Sequence, residues 1–229
     1  MDRNKSVNIP DSYVAIGDIH GCIKSLEVLM ADLLAHFGTD RTYVFLGDYV
    51  DRGPNSKEVV DYLIALDKEY SCVFLRGNHD AMLLNYVEDK TWLKWFENGG
   101  AATMESYRKA LGKEQIPLEH LRFFTNTLLF YDTPEFFFVH GGPPTDQPIS
   151  ESIKNESLYS SFLWNRDHLS STLNQWEKTV IFGHTPVRSP IQEPNMIGID
   201  TGCVYHQFGK LTAVSLPERH FFQQKRIDF

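Results

Sequence analysis

The chain has 229 residues, of which 42% are hydrophobic and 23% charged, with a formal net charge of −8. That balance suits one soluble globular domain with a single sizeable core, expected to be a monomer, and it excludes broad nucleic-acid binding, which needs basic surface. Three cysteines, Cys22, Cys72 and Cys203, are odd in number and lack metal-type spacing, which favours a reducing cytoplasmic setting over a disulfide framework; no apolar run approaches the roughly 18 residues of a membrane helix.

Residues 1–11 are polar and expected to fray. Tyr13-Val14-Ala15-Ile16 reads as a buried strand and runs into Gly17-Asp18-Ile19-His20-Gly21, followed by Cys22. Residues 23–37 place Ile23, Leu26, Leu29, Met30, Leu33 and Leu34 at helical spacing and stop at Gly38. A second strand, Tyr43-Val44-Phe45-Leu46, delivers Gly47-Asp48-Tyr49-Val50-Asp51-Arg52-Gly53, two carboxylates and a guanidinium between glycines that permit a sharp turn. Ser56 is read as the N-cap of a second helix with Val59, Val60, Leu63, Ile64 and Leu66 on its apolar face. A third strand, Cys72-Val73-Phe74-Leu75, leads to Gly77-Asn78-His79-Asp80 and a helix starting near residue 81. The three clusters are spaced by about 30 residues, the length of a βαβ unit. Parallel strands present their C-terminal ends to one rim, so the clusters are expected to meet there.

Residues 89–127 change character and read as a helical insertion or cap beside that rim, within a single domain over 1–229, with helical patterns near 103–111 and 118–126. Trp92, Trp95 and Phe96 could line a pocket there, although aromatics at helical spacing more often belong to a core. Strands follow at 128–132 and 135–139, the second ending at His140-Gly141-Gly142. A polar, proline-containing loop over 143–161 and Leu163-Trp164-Asn165-Arg166-Asp167 come next. Val180-Ile181-Phe182 leads to Gly183-His184-Thr185, residues 196–199 lead to Asp200-Thr201-Gly202, and 211–216 reads as the last strand. Cys22 and Cys203 each follow a motif; a redox role is conceivable, and buried filler is the better reading.

Carboxylates, neutral imidazoles and an amide oxygen form a ligand set suited to Mn, Fe or Zn more than to calcium. Asp18 and His20 lie two apart, so in extended chain they leave the same face. A lone Asp-x-His is weak, but structural histidines scattered at random would not track strand ends so regularly.

Taken in order, Gly17-Asp18-Ile19-His20-Gly21, Gly47-Asp48-Tyr49-Val50-Asp51-Arg52-Gly53, Gly77-Asn78-His79-Asp80, His140-Gly141-Gly142 and Gly183-His184-Thr185 resemble the signature of the phosphoprotein phosphatase branch of the calcineurin-like metallophosphoesterases. Trp164-Asn165-Arg166 and Ile199-Asp200-Thr201-Gly202 look most like its compact bacterial and bacteriophage members. The resemblance implies an α/β fold with a central β-sandwich of mixed sheets flanked by helices. It implies two divalent ions, manganese first, with iron, zinc, cobalt or nickel as alternatives. One would be held by Asp18, His20 and Asp48, the other by Asp48, Asn78, His140 and His184. Arg52, Arg166 and Asn78 would meet the substrate phosphate. His79 would be the general acid and Asp51 would fix its tautomer, with a water shared by the two metals as nucleophile. Asp80 departs from the glutamate common in the family; the charge survives and the reach shortens. Asp200 could support the histidines or simply shape its turn.

Three functions fit this set. The favoured one is a serine/threonine protein phosphatase, with tyrosine as a possible extension. The alternative is a symmetrical dinucleoside tetraphosphate hydrolase, with nucleotide-capped RNA as an extension; it calls for stacking aromatics and extra cations at the entrance. A non-catalytic, metal-dependent scaffold is the least favoured, because every inferred ligand and His79 are intact.

Overall fold

A computed structural model describes residues 12–89, 93–171, 174–205 and 208–229. The expected fraying of residues 1–11 and the pocket reading of Trp92 lie outside the described residues. Three parallel strands open the fold: β1 (Tyr13–Ile16), β2 (Thr42–Phe45) and β3 (Cys72–Phe74). The crossovers are α1 (Ile23–Phe37) and α2 (Ser56–Leu66), and α3 (Asn78–Glu88) follows β3. A turn over Phe96–Gly100, kinked at Gly99, enters α4 (Ala101–Leu111), and α5 (Leu118–Thr125) comes next.

The chain then builds a second sheet from β4 (Phe130–Asp132), β5 (Phe136–Val139), β6 (Thr179–Phe182), β7 (Ile191–Glu193) and β8 (Met196–Gly198), in the order β4-β5-β6-β8-β7. Its middle strands β5, β6 and β8 are parallel and its outer strands antiparallel. Two short helices, α6 (Ile149–Ser152) and α7 (Tyr159–Trp164), lie between β5 and β6. β9 (Lys210–Leu216) and β10 (His220–Lys225) return to the first sheet, completing the order β10-β9-β1-β2-β3.

The two sheets pack face to face. Because successive strand side chains point to opposite faces, Tyr13 and Ala15 of β1 enter the sandwich interior while Val14 and Ile16 face the helices. Both faces of β1 and β2 are covered, so they read as continuous apolar runs, as buried parallel strands do. Val44, Leu46, Phe136, Phe138, Ile181 and Val214 fill the interior. The outer face of the second sheet is covered by Ile149 and Phe162 against Phe137, Val139 and Val180.

Several expectations need correction. Ser56 does not cap α2; it is the helix's first residue, and its hydroxyl bonds Thr103 Oγ1 at 3.1 Å and accepts from the Asp51 amide at 3.2 Å. The strand expected at 128–132 begins at Phe130, with Leu128 making a single bridge to Leu75. β9 is not the last strand, and neither β7 nor β10 was anticipated: β7 is a half-exposed edge strand of three residues, and β10 lacks strict alternation of polar and apolar positions. The stretch 143–161 contains α6 and the start of α7. The region after Asp89 is helical as expected and touches the rim through Trp95 and Gly99, and Met104 and Tyr107 of α4 and Phe124 of α5 also join the apolar cluster of α1 and α2. Among the described residues no helix is long and apolar enough to cross a membrane.

Candidate metal centre and its pocket

The turns after β1, β2, β3, β5 and β6 open onto one rim. They carry, in order, Asp18 and His20; Asp48, Asp51 and Arg52; Asn78 and His79; His140; and His184. The backbone there is unusual. His20, Asp48, Asp51, Arg52 and His184 all have positive φ, between 48° and 74°, and among the described non-glycine residues only Arg219 shares that conformation. Each such residue costs on the order of 1–2 kcal/mol, so the rest of the fold holds these turns in place. Asp18 and His20 therefore do not leave one face of an extended strand; the left-handed turn at His20 sets their directions. Two glycines let the turns touch. A Cβ on Gly77 would lie 2.0 Å from an Asp48 carboxylate oxygen, and one on Gly47 would lie 2.4 Å from the Gly77 amide nitrogen.

Asp48 sits at the centre. Its carboxylate lies 3.4 Å from His20 Nε2 and 3.4 Å from His140 Nε2, and it accepts from the His79 amide at 2.9 Å. Asp48 belongs to both trios of donor atoms that converge within 4.8 Å: Asp18, Asp48 and His140, and His20, Asp48 and His79. Asn78 Oδ1 lies 2.9 Å from both His140 Nε2 and His184 Nδ1. The backbone of His184 donates to the Asp18 carboxylate at 3.1 Å. Asp80 holds the turns together, accepting from the amides of Gly77 and Asp48 at 2.8 Å and of Tyr49 at 3.1 Å. The short side chain at this position reaches all three.

These groups fit a divalent cation. His20 Nδ1 donates to the Val50 carbonyl at 2.7 Å and His140 Nδ1 to the Leu46 carbonyl at 2.8 Å. In each ring Nε2 therefore carries the lone pair, the tautomer a metal requires, with an Asp48 oxygen 3.4 Å away; at His20 it accepts from Arg52. At His140 that lone pair faces the oxygen of Asn78, two acceptors at hydrogen-bond distance with no proton to share, an arrangement a cation would relieve. Charge tells the same story. Burial works to raise the Asp48 carboxyl, yet His140, His79 and His20 together hold it below the usual carboxylate range. Burial and then Asp200 and Asp48 push Asp18 well above it. Burial and the neighbouring His140 push His184 down to about 3, leaving the ring neutral.

Beside this centre lies a pocket of about 250 Å³ lined by Arg52, His79, Trp164, Arg166, His184 and Tyr205 among others. Arg52 Nη1 donates to His20 Nε2 at 2.8 Å and its guanidinium lies 5.6 Å from the Tyr205 ring centroid. Arg166 Nε donates to Thr185 Oγ1 at 3.1 Å. His79 Nδ1 donates to Asp51 Oδ2 at 2.7 Å, and although burial opposes it, Asp48 and Asp51 raise the imidazole above its ordinary value. Asp51 is fully buried and is held by three donors, His79, Trp95 Nε1 at 2.8 Å and Thr103 Oγ1 at 2.7 Å. Of the two readings left open for Asp200, the structure has the turn bond, accepted from the Gly202 amide at 2.9 Å; its negative charge is, after burial, the next cause of the Asp18 shift.

The predicted site residues Asp18, His20, Asp48, Asp51, Arg52, Asn78, His79, His140, Arg166 and His184 thus lie together on this rim and in its pocket. What the sequence missed is the support: Trp95 is core and also orients Asp51, Thr103 does the same, and Tyr205 enters the pocket wall. The signal for the first two is the glycine pair Gly99-Gly100 inside a helical run. Gly99, with φ of 109°, brings its carbonyl to the Arg52 amide at 3.2 Å. Of Cys22 and Cys203, both buried, Cys22 Sγ donates to the His20 carbonyl at 3.6 Å.

Comparison with known proteins bears on the chemistry. A family model described as calcineurin-like phosphoesterase matches residues 12–217. A bis(5'-nucleosyl)-tetraphosphatase PrpE (asymmetrical) from Anoxybacillus flavithermus is 29% identical over 226 residues, spanning 90% of this chain and 91% of the relative. A crystal structure provisionally assigned as a diadenosine tetraphosphatase superposes with a TM-score of 0.69 at 24% identity, covering 97% of this chain and 96% of that one. A Saccharomyces cerevisiae protein serine/threonine phosphatase shares the fold at a TM-score of 0.61 and 15% identity, over 98% of this chain and 82% of that one.

Proposed function

The chain belongs to the calcineurin-like phosphoesterase family, which makes it a phosphoester hydrolase, and we propose that its substrates are dinucleoside tetraphosphates, hydrolysed with the help of two divalent ions. Protein phosphatase was the favoured reading from sequence and the dinucleotide the alternative. The names of the similar full-length relatives support the alternative, while the protein phosphatase likeness at 15% identity speaks for the fold alone. Those names also say asymmetrical, against the symmetrical cleavage expected from sequence.

The observation that carries the reading is the pocket wall. A phosphoprotein site needs charge for one phosphoryl group; a polyphosphate with two nucleosides needs charge and flat apolar faces together. Here Arg52 and Arg166 stand in one pocket with Trp164 and Tyr205, which are 46% and 37% exposed. Large aromatics left open beside two guanidiniums are suited to stack bases.

In this proposal Asp18, His20, Asp48, Asn78, His140 and His184 hold the metals, with manganese expected first. Bound there, the two ions would supply an acidified water and positive charge for phosphoryl oxygens. Arg52 and Arg166 bind equatorial oxygens by forked hydrogen bonds. His79, with Nδ1–H fixed on Asp51, presents Nε2 to the pocket and delivers its proton to the leaving oxygen. Asp51 stabilises the imidazolium and is itself steadied by Trp95 and Thr103.

The test is steady-state hydrolysis of diadenosine tetraphosphate against a phosphoserine peptide, with manganese added to stripped protein and Asp48→Asn as blank. The dinucleotide is expected to win by more than about tenfold in kcat/KM, about 1.4 kcal/mol of transition-state preference. A peptide preference of that size would return the protein-phosphatase reading.

A further inference from the structure

Among the described residues three large aromatic side chains remain exposed: Trp164, Tyr205 and Phe229, the last at 53%. They are not scattered. Trp164 and Tyr205 line the catalytic pocket, and Phe229 lines a second pocket of about 330 Å³ on the flank of α4 together with Lys109. Arg52 is common to both. Single exposed apolar residues are ordinary on a protein surface; three aromatics arranged around one guanidinium make an aromatic, cationic track.

We propose that this track is a two-nucleotide site, in which Trp164 stacks the nearer base, the α-phosphate of that nucleotide lies at the metal donors, and the other three phosphates pass Arg52 into the second pocket, where Lys109 and Phe229 receive the distal nucleotide. The proposal rests on the dinucleoside tetraphosphate reading, takes the asymmetrical cleavage from the relatives' names, and adds which side chains receive each half. The Trp164 ring centroid is 6.0 Å from that of His184, edge to face. A base on the outer face of Trp164 is thus separated from the donors by little more than its own ribose and first phosphate. Arg52, which donates to His20 at 2.8 Å, lines both pockets and so joins them.

The second pocket is built. Its aromatic wall is fixed by the buried Asp228, whose carboxylate accepts from the Lys24 and Ser25 amides at 2.8 and 3.2 Å and from Ser25 Oγ, at the start of α1. The Arg226 guanidinium lies 4.2 Å from the Phe229 ring centroid. Glu105 also lines this pocket, and its charge is met by Arg108 and by Lys109 at 3.6 Å.

The chemistry follows from the placement. A water oxygen bonds to the α-phosphorus, and the bond from that phosphorus to the α,β-bridging oxygen breaks. The electron pair leaves with the triphosphate, His79 supplies the proton to it, and the proton lost by the attacking water passes to solvent. Products are one nucleoside monophosphate and one nucleoside triphosphate, and the new oxygen resides in the monophosphate.

Hydrolysis of diadenosine tetraphosphate in oxygen-18 water, read by mass spectrometry, tests the register. Labelled AMP with unlabelled ATP is expected; label in ATP, or two molecules of ADP, overturns the placement. For the second pocket, Phe229→Ala and Lys109→Ala are each expected to lower the ratio of kcat/KM for the dinucleotide to that for p-nitrophenyl phosphate by about tenfold. Both are expected to weaken binding of an α,β-methylene-bridged analogue, followed by calorimetry, to a similar degree. Ratios and Kd within about twofold of the parent would remove the pocket from the site. Should the parent turn over p-nitrophenyl phosphate and leave the dinucleotide intact, the substrate reading fails first and takes this one with it.

Discussion

At the scale of single residues, the catalytic proposal turns on one imidazole and what orients it. His79 bonds Asp51 at 2.7 Å through Nδ1, so only Nε2 is free to serve the pocket. Replacing it by asparagine keeps a polar group of similar reach and removes the transferable proton. His79→Asn is expected to bind manganese as the parent does and to lose about 10²–10⁴ in kcat, the usual contribution of a positioned acid. The loss should be largest for alkyl phosphates and smallest for nitrophenyl phosphate, whose leaving group needs no proton; equal losses on both would sink the acid role. Trp95 offers a finer test. Its indole N–H is one of three donors to Asp51, and the ring is otherwise plain core. Trp95→Phe keeps most of that packing and deletes the donor to a charged group, a bond of about 1.5–3 kcal/mol. Expected is a fall in kcat of about tenfold with KM little changed. A rise in KM at constant kcat would place Trp95 on the substrate instead.

At the scale of elements, the segment joining α7 to β6 stores a liability that pH exposes. His168 is buried, neither ring nitrogen has a hydrogen-bond partner among the described residues, and the ring centroid lies 4.5 Å from that of Phe182. It also explains Gly142: a Cβ there would meet His168 Nδ1 at 2.6 Å, so the second glycine of His140-Gly141-Gly142 makes room for this ring. Burial pushes the His168 imidazole down to about 4. In the unfolded chain it titrates near 6.5. Between those values the unfolded state binds the proton and the folded state does not, so stability falls as pH drops from 6.5 through 4, by up to about 3 kcal/mol. His168→Phe keeps a flat ring and removes the proton site. Its Tm relative to the parent is expected to rise steadily from pH 7 to pH 4.5, and parallel Tm curves would show that the ring carries no such cost. Elements of this kind mark the boundary of what the sequence could tell. The β1–α1–β2–α2–β3 rhythm was legible because β1 and β2 are buried on both faces, β3 is equally apolar, and each run leads within three residues to glycine. β7 and β10 were not, since β7 is three residues long and mostly exposed and β10 lacks a strict alternation of polar and apolar positions. The ligands were legible because strand ends converge by topology alone. Trp95, Thr103 and Tyr205 were not, because they reach the rim through folds of the chain that leave no fixed spacing behind.

At the scale of the whole molecule, the metal donors join two sheets. Asp18, His20, Asp48 and Asn78 come from turns of the first sheet, and His140 and His184 from turns of the second. A cation held by both sets is a staple across the sandwich, and any ligand that binds only the folded state stabilises it by mass action. At a free metal concentration of about 100 Kd the gain is about 2.7 kcal/mol, or roughly 5–10 °C in Tm for a chain of this size. Without metal the same cluster works against the fold. Asp18 is buried beside Asp48 and Asp200, and its raised pKa means that the folded protein prefers it neutral. Stability is therefore lost as pH rises above the unfolded carboxyl value of about 3.9 and through the higher folded one. Asp18→Asn imitates the neutral form and leaves an amide oxygen to accept from the His184 backbone. Opposite signs are expected from one substitution: a metal-free Tm a few degrees above the parent, about 2–4 °C for each kcal/mol of repulsion removed, and loss of most of the rise on adding manganese. Scanning calorimetry of both proteins, with chelator and with metal, reads both effects. If the metal-free variant melts below the parent, Asp18 is a structural residue rather than one whose charge the fold tolerates for the sake of a cation. If manganese still raises its Tm as much as the parent's, the bound ion does not depend on Asp18.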